Sequence, residues 1–178
     1  TIPQTVTSGS NILSVGAGSL TAASLDFTAS GSGAGHQLTI STGTATISGN
    51  ITGIGASSTI SFTGAGLLRV SGSMFTAANG TLNAPSGTVE YNGAAQTVQA
   101  LPYFNLATSG SGNKSLAGTT TIGGNLIIGD NTNFIVGAST LVVTGTTTVG
   151  GGGSGTLTIN STTGTKTFSG LVTINSGG

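Results

Sequence analysis

Short segments with the pattern of β-strands recur along the whole chain, and they limit the fold more than any other feature. In each segment apolar residues alternate with threonine, serine or another polar residue, and Gly, Asn or Ser follows, which favours a tight turn. Thr, Val and Ile also disfavour helices because their branched side chains restrict χ1. The clearest segments are HQLTIS (36–41), TATISGN (44–50), STISFTG (58–64), TVEYNG (88–93), GTLTINS (155–161) and LVTINSG (171–177). The sequence therefore predicts an all-β fold.

The strand segments repeat at a nearly fixed spacing. Apolar-x-apolar triplets begin at Leu126, Leu141, Leu157 and Val172. Such short repeats are typical of stacked turns that bury their apolar sides against one another. This favours a parallel β-solenoid forming a single domain over residues 1–178, and an antiparallel β-sandwich is the alternative because spacing does not fix strand direction. In a solenoid the four triplet residues are expected to form one inward ladder, and a second is expected from Ile128, Val143, Ile159 and Ile174.

Charge is almost absent from the chain. Charged residues make up 3% of it, against about 25% in a typical soluble domain, and the net charge is zero. Three scattered cations cannot form the basic stripe that binds nucleic acid or an anionic membrane surface. A zero net charge also removes the repulsion that keeps proteins apart, so it favours self-association. The charged residues are Asp26, Arg69, Glu90, Lys114, Asp130 and Lys166, of which Glu90 is expected to pair with a neighbouring basic residue.

No group of residues indicates catalysis, a cofactor or a metal. His36 is the only histidine, and it lacks the nucleophile signature that a triad requires, so an ordinary surface or turn position is expected. The three acidic residues are too dispersed to predict the paired carboxylates of a glycosidase. Asp130 and its asparagine neighbours are interpreted as a turn, since a single carboxylate is a weak calcium site. The glycine run 150–153 lacks the following helix of a phosphate-binding loop. We therefore expect a protein that is not an enzyme.

Two surface features allow other functions. Regular arrays of Thr-x-Thr on a flat solenoid face are typical of ice-binding proteins, but the intervals between the pairs in this chain are uneven and threonine is also an ordinary outward strand residue. Asn-x-Ser/Thr sequons permit glycosylation without showing it. The pairs are Thr44/Thr46, Thr119/Thr121, Thr146/Thr148 and Thr165/Thr167, and the sequons begin at Asn50, Asn79, Asn113 and Asn160.

Residues 87–129 resemble a repeat that is common in very large bacterial surface and secreted proteins of the filamentous-haemagglutinin and autotransporter-passenger type. The resemblance implies an extracellular β-solenoid with an adhesive or structural role and no active site. Those relatives are much longer than this chain. The matching marks are Tyr91-Asn92-Gly93, Gln96-Thr97-Val98, Tyr103 with Asn105-Leu106, Gly110-Ser111-Gly112 with Lys114 and Leu116, and Gly124-Asn125-Leu126.

The two ends of the chain carry the functional prediction. Neither end has a capping helix or a terminal charge, and the last segment still has the pattern of a regular strand. We expect the chain to be a subunit of an extracellular filament, fibre or sheath, with copies of itself as partners and residues 1–13 as a possible strand-exchanging arm. An adhesin segment is the first alternative and an ice-binding solenoid the second. The expected assembly residues are Ile2, Val6, Ile12, Val172 and Ile174.

Overall fold

The computed structural model describes residues 11–27, 35–55 and 57–176. Within these ranges the chain forms 21 short strands and no helix. Every pairing between these strands is parallel, and the sheets stack as a β-solenoid of about seven turns. The predicted parallel β-solenoid is confirmed, and the antiparallel β-sandwich is excluded. Each of the six segments with a strand pattern contains a strand.

The strands belong to five parallel sheets, which we name A to E. Sheet A contains β1 (Asn11–Val15), β4 (His36–Ile40), β7 (Ser58–Phe62) and β9 (Thr81–Asn83). Sheet B contains β2 (Ser19–Ala22), β5 (Thr44–Ile47), β8 (Leu67–Val70), β10 (Thr88–Tyr91), β12 (Asn105–Thr108), β15 (Leu126–Ile128), β18 (Thr147–Val149) and β21 (Val172–Ile174). Sheet C contains β3 (Leu25–Asp26) and β6 (Ile51–Thr52). Sheet D contains β11 (Gln96–Val98), β13 (Gly112–Leu116), β16 (Thr132–Ile135) and β19 (Thr156–Thr158). Sheet E contains β14 (Thr120–Ile122), β17 (Leu141–Val143) and β20 (Lys166–Phe168).

The predicted ladders are wrong in register, although their strand direction is right. Leu126 and Val172 lie in sheet B, whereas Leu141 lies in sheet E and Leu157 in sheet D. One turn of the solenoid is longer than the spacing of the triplets, because each turn contributes strands to more than one sheet. The second predicted ladder fails for the same reason, since Val143 lies in sheet E while Ile128 and Ile174 lie in sheet B, and Ile159 directly follows β19 of sheet D.

Turns of the solenoid also differ in length. In sheet B, Leu20 of one turn lies opposite Ala45 of the next, whereas Val89 lies opposite Leu106 after a distinctly shorter stretch of chain. The extra length is taken up between the strands, so the strands of sheet B stay in line while the connections vary. A single repeat length therefore does not describe the fold.

Sheet B runs through all the turns and supplies the axis of the core. Alternate residues of each strand point inward, so the sheet carries two inward columns. Most of these side chains are fully buried, and burying one Leu or Ile contributes about 1.5–3 kcal/mol. The first column is Leu20, Ala45, Leu68, Val89, Leu106, Leu126, Thr147 and Val172, and the second is Ala22, Ile47, Val70, Tyr91, Thr108, Ile128, Val149 and Ile174.

Glycines line both edges of sheet B, where the chain passes close to the backbone of the preceding turn. A Cβ atom built on Gly43 would lie 2.2 Å from the Gly18 carbonyl oxygen, and one on Gly93 would lie 2.0 Å from the Ser71 carbonyl oxygen. No side chain fits at such distances. The leading glycine column, before the strands, is Gly18, Gly43, Gly66, Gly87, Gly124, Gly145 and Gly170, with Phe104 in the remaining turn. The trailing glycine column, after the strands, is Gly49, Gly72, Gly93, Gly110 and Gly151.

Thr147 places a hydroxyl group at a fully buried, inward position of sheet B. Its Oγ1 is the single buried side-chain oxygen or nitrogen of the described residues that has no hydrogen-bond partner. Valine has nearly the same shape without the hydroxyl, so Thr147→Val is expected to raise the free energy of unfolding by about 1 kcal/mol. Denaturant unfolding followed by far-UV circular dichroism measures the change.

The matched control is Thr108→Val, a substitution in the other inward column. Thr108 Oγ1 lies 2.9 Å from Thr132 Oγ1, so its hydroxyl has a partner. This substitution removes a made hydrogen bond and is expected to lower stability by about 1 kcal/mol. A loss of stability in both variants would show that the Thr147 hydroxyl has a favourable interaction.

Candidate assembly surface

The last described turn of the solenoid exposes apolar side chains at positions that earlier turns bury. It consists of β19, β20 and β21, the terminal strands of sheets D, E and B. Ile174 and Val172 continue the inward columns of sheet B, yet they are 70% and 42% exposed. Leu171 on the same turn, at a position that no earlier described turn buries, is 71% exposed. No described strand lies beyond this turn, so one edge of each of its strands presents backbone groups that can pair with a further strand.

The first described turn forms a corresponding surface at the other end. It consists of β1, β2 and β3, which begin sheets A, B and C. Ile12 is 61% exposed on this turn, and Leu13 beside it is also exposed. Both end turns therefore combine a strand edge that no described strand pairs with and exposed apolar side chains.

Three of the five predicted assembly residues lie on these end turns. Ile12 belongs to the first turn, and Val172 and Ile174 belong to the last. Ile2 and Val6 lie outside the described residues. Of the arm predicted over residues 1–13, residues 11–13 belong to β1, which pairs in parallel with β4, and residues 1–10 are outside the described ranges. An assembly role for these residues stays a prediction.

The side of the solenoid carries the one salt bridge of the described residues. Arg69 Nε donates to Glu90 Oε2 at 2.7 Å across neighbouring strands of sheet B. Ser109 Oγ, one turn further, donates to the other carboxylate oxygen at 2.5 Å. The expected pairing of Glu90 with a basic residue is confirmed. A partly exposed pair of this kind contributes about 1 kcal/mol or less, so it positions side chains more than it stabilises the fold.

Lys114 is the chain's buried cation, and backbone carbonyls hold it. Its Nζ donates to the Gly93 oxygen at 2.7 Å, to the Ser111 oxygen at 3.2 Å and to the Ala94 oxygen. It also donates to Gln96 Oε1 at 2.9 Å. Burial lowers the pKa of Lys114 to about 8, because removal from water disfavours the charged form and no carboxylate among the described residues lies against it.

Gln96 extends this cluster to the preceding turn. Its Nε2 donates to the carbonyl oxygens of Val70 and Gly72 at 2.9 and 2.7 Å, and its Oε1 accepts from the Gly93 amide at 2.8 Å. We call Lys114, Gln96 and the carbonyls they bind the Lys114 cluster. It joins the corners of three consecutive turns and satisfies the backbone groups there.

A second internal cluster joins the chain's two tyrosines. The hydroxyls of Tyr91 and Tyr103 lie 2.8 Å apart, and Tyr103 also donates to the Gln99 carbonyl at 2.8 Å. Burial raises the pKa of Tyr91 to about 12 and raises that of Tyr103 well above its usual value. Both hydroxyls are therefore protonated hydrogen-bonding groups, and they join two sides of one turn across the core. Four residues of these two clusters belong to the resemblance to bacterial surface repeats: Tyr91, Gln96, Tyr103 and Lys114. Their role as internal hydrogen-bonding residues was not predicted from the sequence.

His36 is buried in β4, so its predicted surface or turn position is wrong. It lies on the face of the strand that also buries Leu38 and Ile40. Its Nδ1 lies 3.5 Å from the Asn11 side-chain nitrogen, which is a weak contact. Its neighbours within the described ranges form no catalytic arrangement, and its replacement by alanine is a core substitution.

The remaining acidic residues lie apart from one another and have structural partners. Asp130 Oδ1 accepts from the Gly151 amide at 2.7 Å, which ties the 129–133 turn to the glycine run of the next turn. Asp26 accepts from the Thr52 hydroxyl at 2.9 Å on the first turns. The described residues contain no group of three His, Cys, Asp or Glu side chains that could hold a metal ion. They also contain no helix long and apolar enough to cross a membrane.

The four Thr-x-Thr pairs do not form one array. Thr44/Thr46 and Thr146/Thr148 lie along sheet B, with four strands between them. The other two pairs, Thr119/Thr121 and Thr165/Thr167, lie along sheet E. The outward positions between the sheet B pairs include Arg69, Glu90 and Ile127, so this face is not a regular threonine lattice.

All four sequon asparagines are exposed. Asn50 and Asn113 already accept hydrogen bonds through their side-chain oxygens, from the Ser73 amide and from Asn133 respectively. Glycosylation stays a prediction at Asn50, Asn79, Asn113 and Asn160.

Comparison with known proteins finds no matching family model, no matching curated protein and no matching solved structure. The resemblance of residues 87–129 to bacterial surface repeats therefore stays a prediction, and the functional argument depends on the fold and its end turns.

Proposed function

We propose that this chain is a structural subunit of an extracellular bacterial filament, fibre or sheath, and that the subunits assemble end to end by β-strand pairing. The observation that carries the proposal is the exposed last turn, where Val172 and Ile174 continue the buried inward columns of sheet B and no described strand covers them. A further β layer on this turn would bury these side chains and pair the open strand edges.

The geometry of a parallel solenoid supports open growth. Its two ends are different surfaces, so contact between them is heterologous and need not close into a ring. The zero net charge of the chain provides little repulsion between subunits. The described residues contain one salt bridge on the side and no cluster of like charges, so nothing electrostatic opposes stacking.

The extracellular and bacterial parts of the proposal derive support from the sequence. A chain that is half Gly, Thr and Ser and 3% charged is typical of surface-exposed structural repeats, and residues 87–129 resemble such repeats. The Lys114 cluster joins consecutive turns, which suits a rod that carries load along its axis.

An adhesin or passenger segment of a larger surface protein is the second candidate. The same end turns favour it, because further turns of a longer chain would cover them equally well. The two candidates differ in one respect, since a segment of a longer protein has no need to bind a second copy of itself.

Negative-stain microscopy and analytical sedimentation of the full 178-residue chain test the proposal. We expect filaments or end-to-end oligomers that grow with concentration. Ile174→Lys, which places a charge on the exposed last turn, is expected to abolish them, whereas Ile127→Lys, at an exposed isoleucine on the side of sheet B, is expected to leave them intact. A monodisperse parent protein at high concentration, or equal assembly of both variants, would reject the filament and favour the adhesin segment.

A further inference from the structure

The first and last strands of sheet B hold the two ends of the same inward columns. β2 is the first strand of the sheet and β21 is the last. The column that begins at Leu20 ends at Val172, and the column that begins at Ala22 ends at Ile174. If a second copy continued the sheet, Val172 would meet Leu20 and the large Ile174 would meet the small Ala22. Large and small apolar side chains that face each other in this way pack without overfilling the core.

The leading glycine column also continues across such a junction. Gly170 closes the column at the last turn, and Gly18 opens it at the first. A Cβ atom on Gly170 would lie 2.3 Å from the Gly145 carbonyl oxygen, whereas a Cβ atom on Gly18 meets nothing within 4 Å. Gly18 thus supplies the small residue that close stacking requires, at a position where no described strand of its own chain lies.

The charges on the end turns distinguish the possible orientations. Asp26 is the one charged residue of the first described turn, and Lys166 is the one charged residue of β19–β21. Contact between two first turns would place two carboxylates in one interface, and contact between two last turns would place two ammonium groups in one interface. Contact between unlike ends avoids both repulsions and keeps all strands parallel.

We infer that a second copy of this chain stacks its first turn on the last turn of its neighbour, with β21 parallel to β2 and with Val172, Thr173 and Ile174 opposite Leu20, Thr21 and Ala22. The inference rests on the proposed function and specifies the register in which the strands of two copies pair. Sheet B then runs without interruption from one subunit to the next, and the leading glycine column continues across the junction.

Disulfide cross-linking tests this register, because the chain has no cysteine. Opposite residues of neighbouring strands lie about 4.8 Å apart, within the Cα separation that a disulfide spans. Thr21→Cys combined with Thr173→Cys is expected to give a ladder of covalent oligomers after oxidation. Thr148→Cys with Thr173→Cys, an adjacent pair within one chain, is expected to give a cross-linked monomer. Thr46→Cys with Thr173→Cys lies one turn out of register and is expected to give neither.

A glycine substitution provides an independent test. Gly18→Ala is expected to leave the monomer folded and to abolish assembly, since its methyl group would clash with the neighbour's last turn. Gly16→Ala is the control, because the next turn has Ser41 at the aligned position and so tolerates a Cβ there. Filaments that form without the Thr21–Thr173 cross-link, or that survive Gly18→Ala, would overturn the register and leave the proposed function standing. Absence of oligomers in the parent protein would reject both.

Discussion

Gly145→Ala is expected to lower the free energy of unfolding by about 3 kcal/mol or more, or to prevent folding. A Cβ atom on Gly145 would lie 2.5 Å from Asn125 Oδ1 and 2.6 Å from the Gly124 carbonyl oxygen. That Asn125 oxygen also accepts hydrogen bonds from the amide and the hydroxyl of Thr146 at 2.9 and 3.0 Å. The methyl group therefore has to displace two turns of backbone and break a side-chain bridge between them. Denaturant unfolding followed by far-UV circular dichroism measures the loss.

Gly18→Ala is the matched control for this prediction, because it lies in the same leading glycine column on the first turn. Its methyl group meets no atom within 4 Å, so the stability of the monomer is expected to change by less than about 0.5 kcal/mol. Equal effects of the two substitutions would mean that the glycines serve turn flexibility in general, and that close approach of successive turns is not the cause.

The free energy of unfolding is expected to rise by about 2 kcal/mol between pH 8 and pH 10. Burial lowers the pKa of Lys114 from 10.5 to about 8 in the folded chain. Between these two values the unfolded chain binds one more proton than the folded chain, so stability increases with pH. The cost of holding the charged lysine is fully present below pH 8 and disappears as the pH approaches 10.5.

The tyrosine pair sets the upper limit of this pH range. Burial raises the pKa of Tyr91 from 10.0 to about 12, so the tyrosines lower stability only above about pH 10. Urea unfolding at pH 7, 8, 9 and 10 measures the rise. Lys114→Met is expected to abolish it, and Lys166→Met, at a lysine on the exposed last turn, is expected to keep it. A rise of equal size in the Lys114→Met variant would show that another group causes it.

Sequence patterns predicted the strands and their direction but not the length of a turn. Each side of the solenoid needs the same alternation of inward apolar and outward polar residues, so TATISGN (44–50) in sheet B and TTTIGGN (119–125) in sheet E look alike. The spacing of the apolar triplets therefore aligned strands that belong to different sheets. The turns also share no single period, because the connections between their strands differ in length.

A better indication of the turn length was present in the glycines. Sheet B strands lie between two glycines at a constant spacing, as in Gly43 and Gly49, Gly66 and Gly72, Gly87 and Gly93, and Gly145 and Gly151. The spacing has a physical cause, since one glycine lies at each edge of the sheet where the turns approach most closely. Aligning these glycines gives the register that the structure shows.

Sequence patterns could not predict the Lys114 cluster or the tyrosine pair. A lysine in a strand is ordinarily predicted to face water, and Lys114 faces inward because carbonyls from two bends of the chain, at 93–94 and at 111, converge on its Nζ. His36 was misplaced for a related reason, as its burial depends on strands β1 and β7 on either side of it. The Arg69–Glu90 pair was easier to predict, because strand alternation puts Glu90 on the face opposite Val89 and Tyr91, where it can reach a basic residue of a neighbouring strand.

X-ray fibre diffraction from oriented assemblies of the full chain tests the central claim most directly. Strands in a solenoid lie across its axis, so neighbouring strands are spaced along that axis. End-to-end stacking therefore predicts a reflection at about 4.8 Å along the fibre axis. The same spacing across the fibre axis would show that subunits associate side by side and would contradict the account, as would a protein that yields no fibres at all.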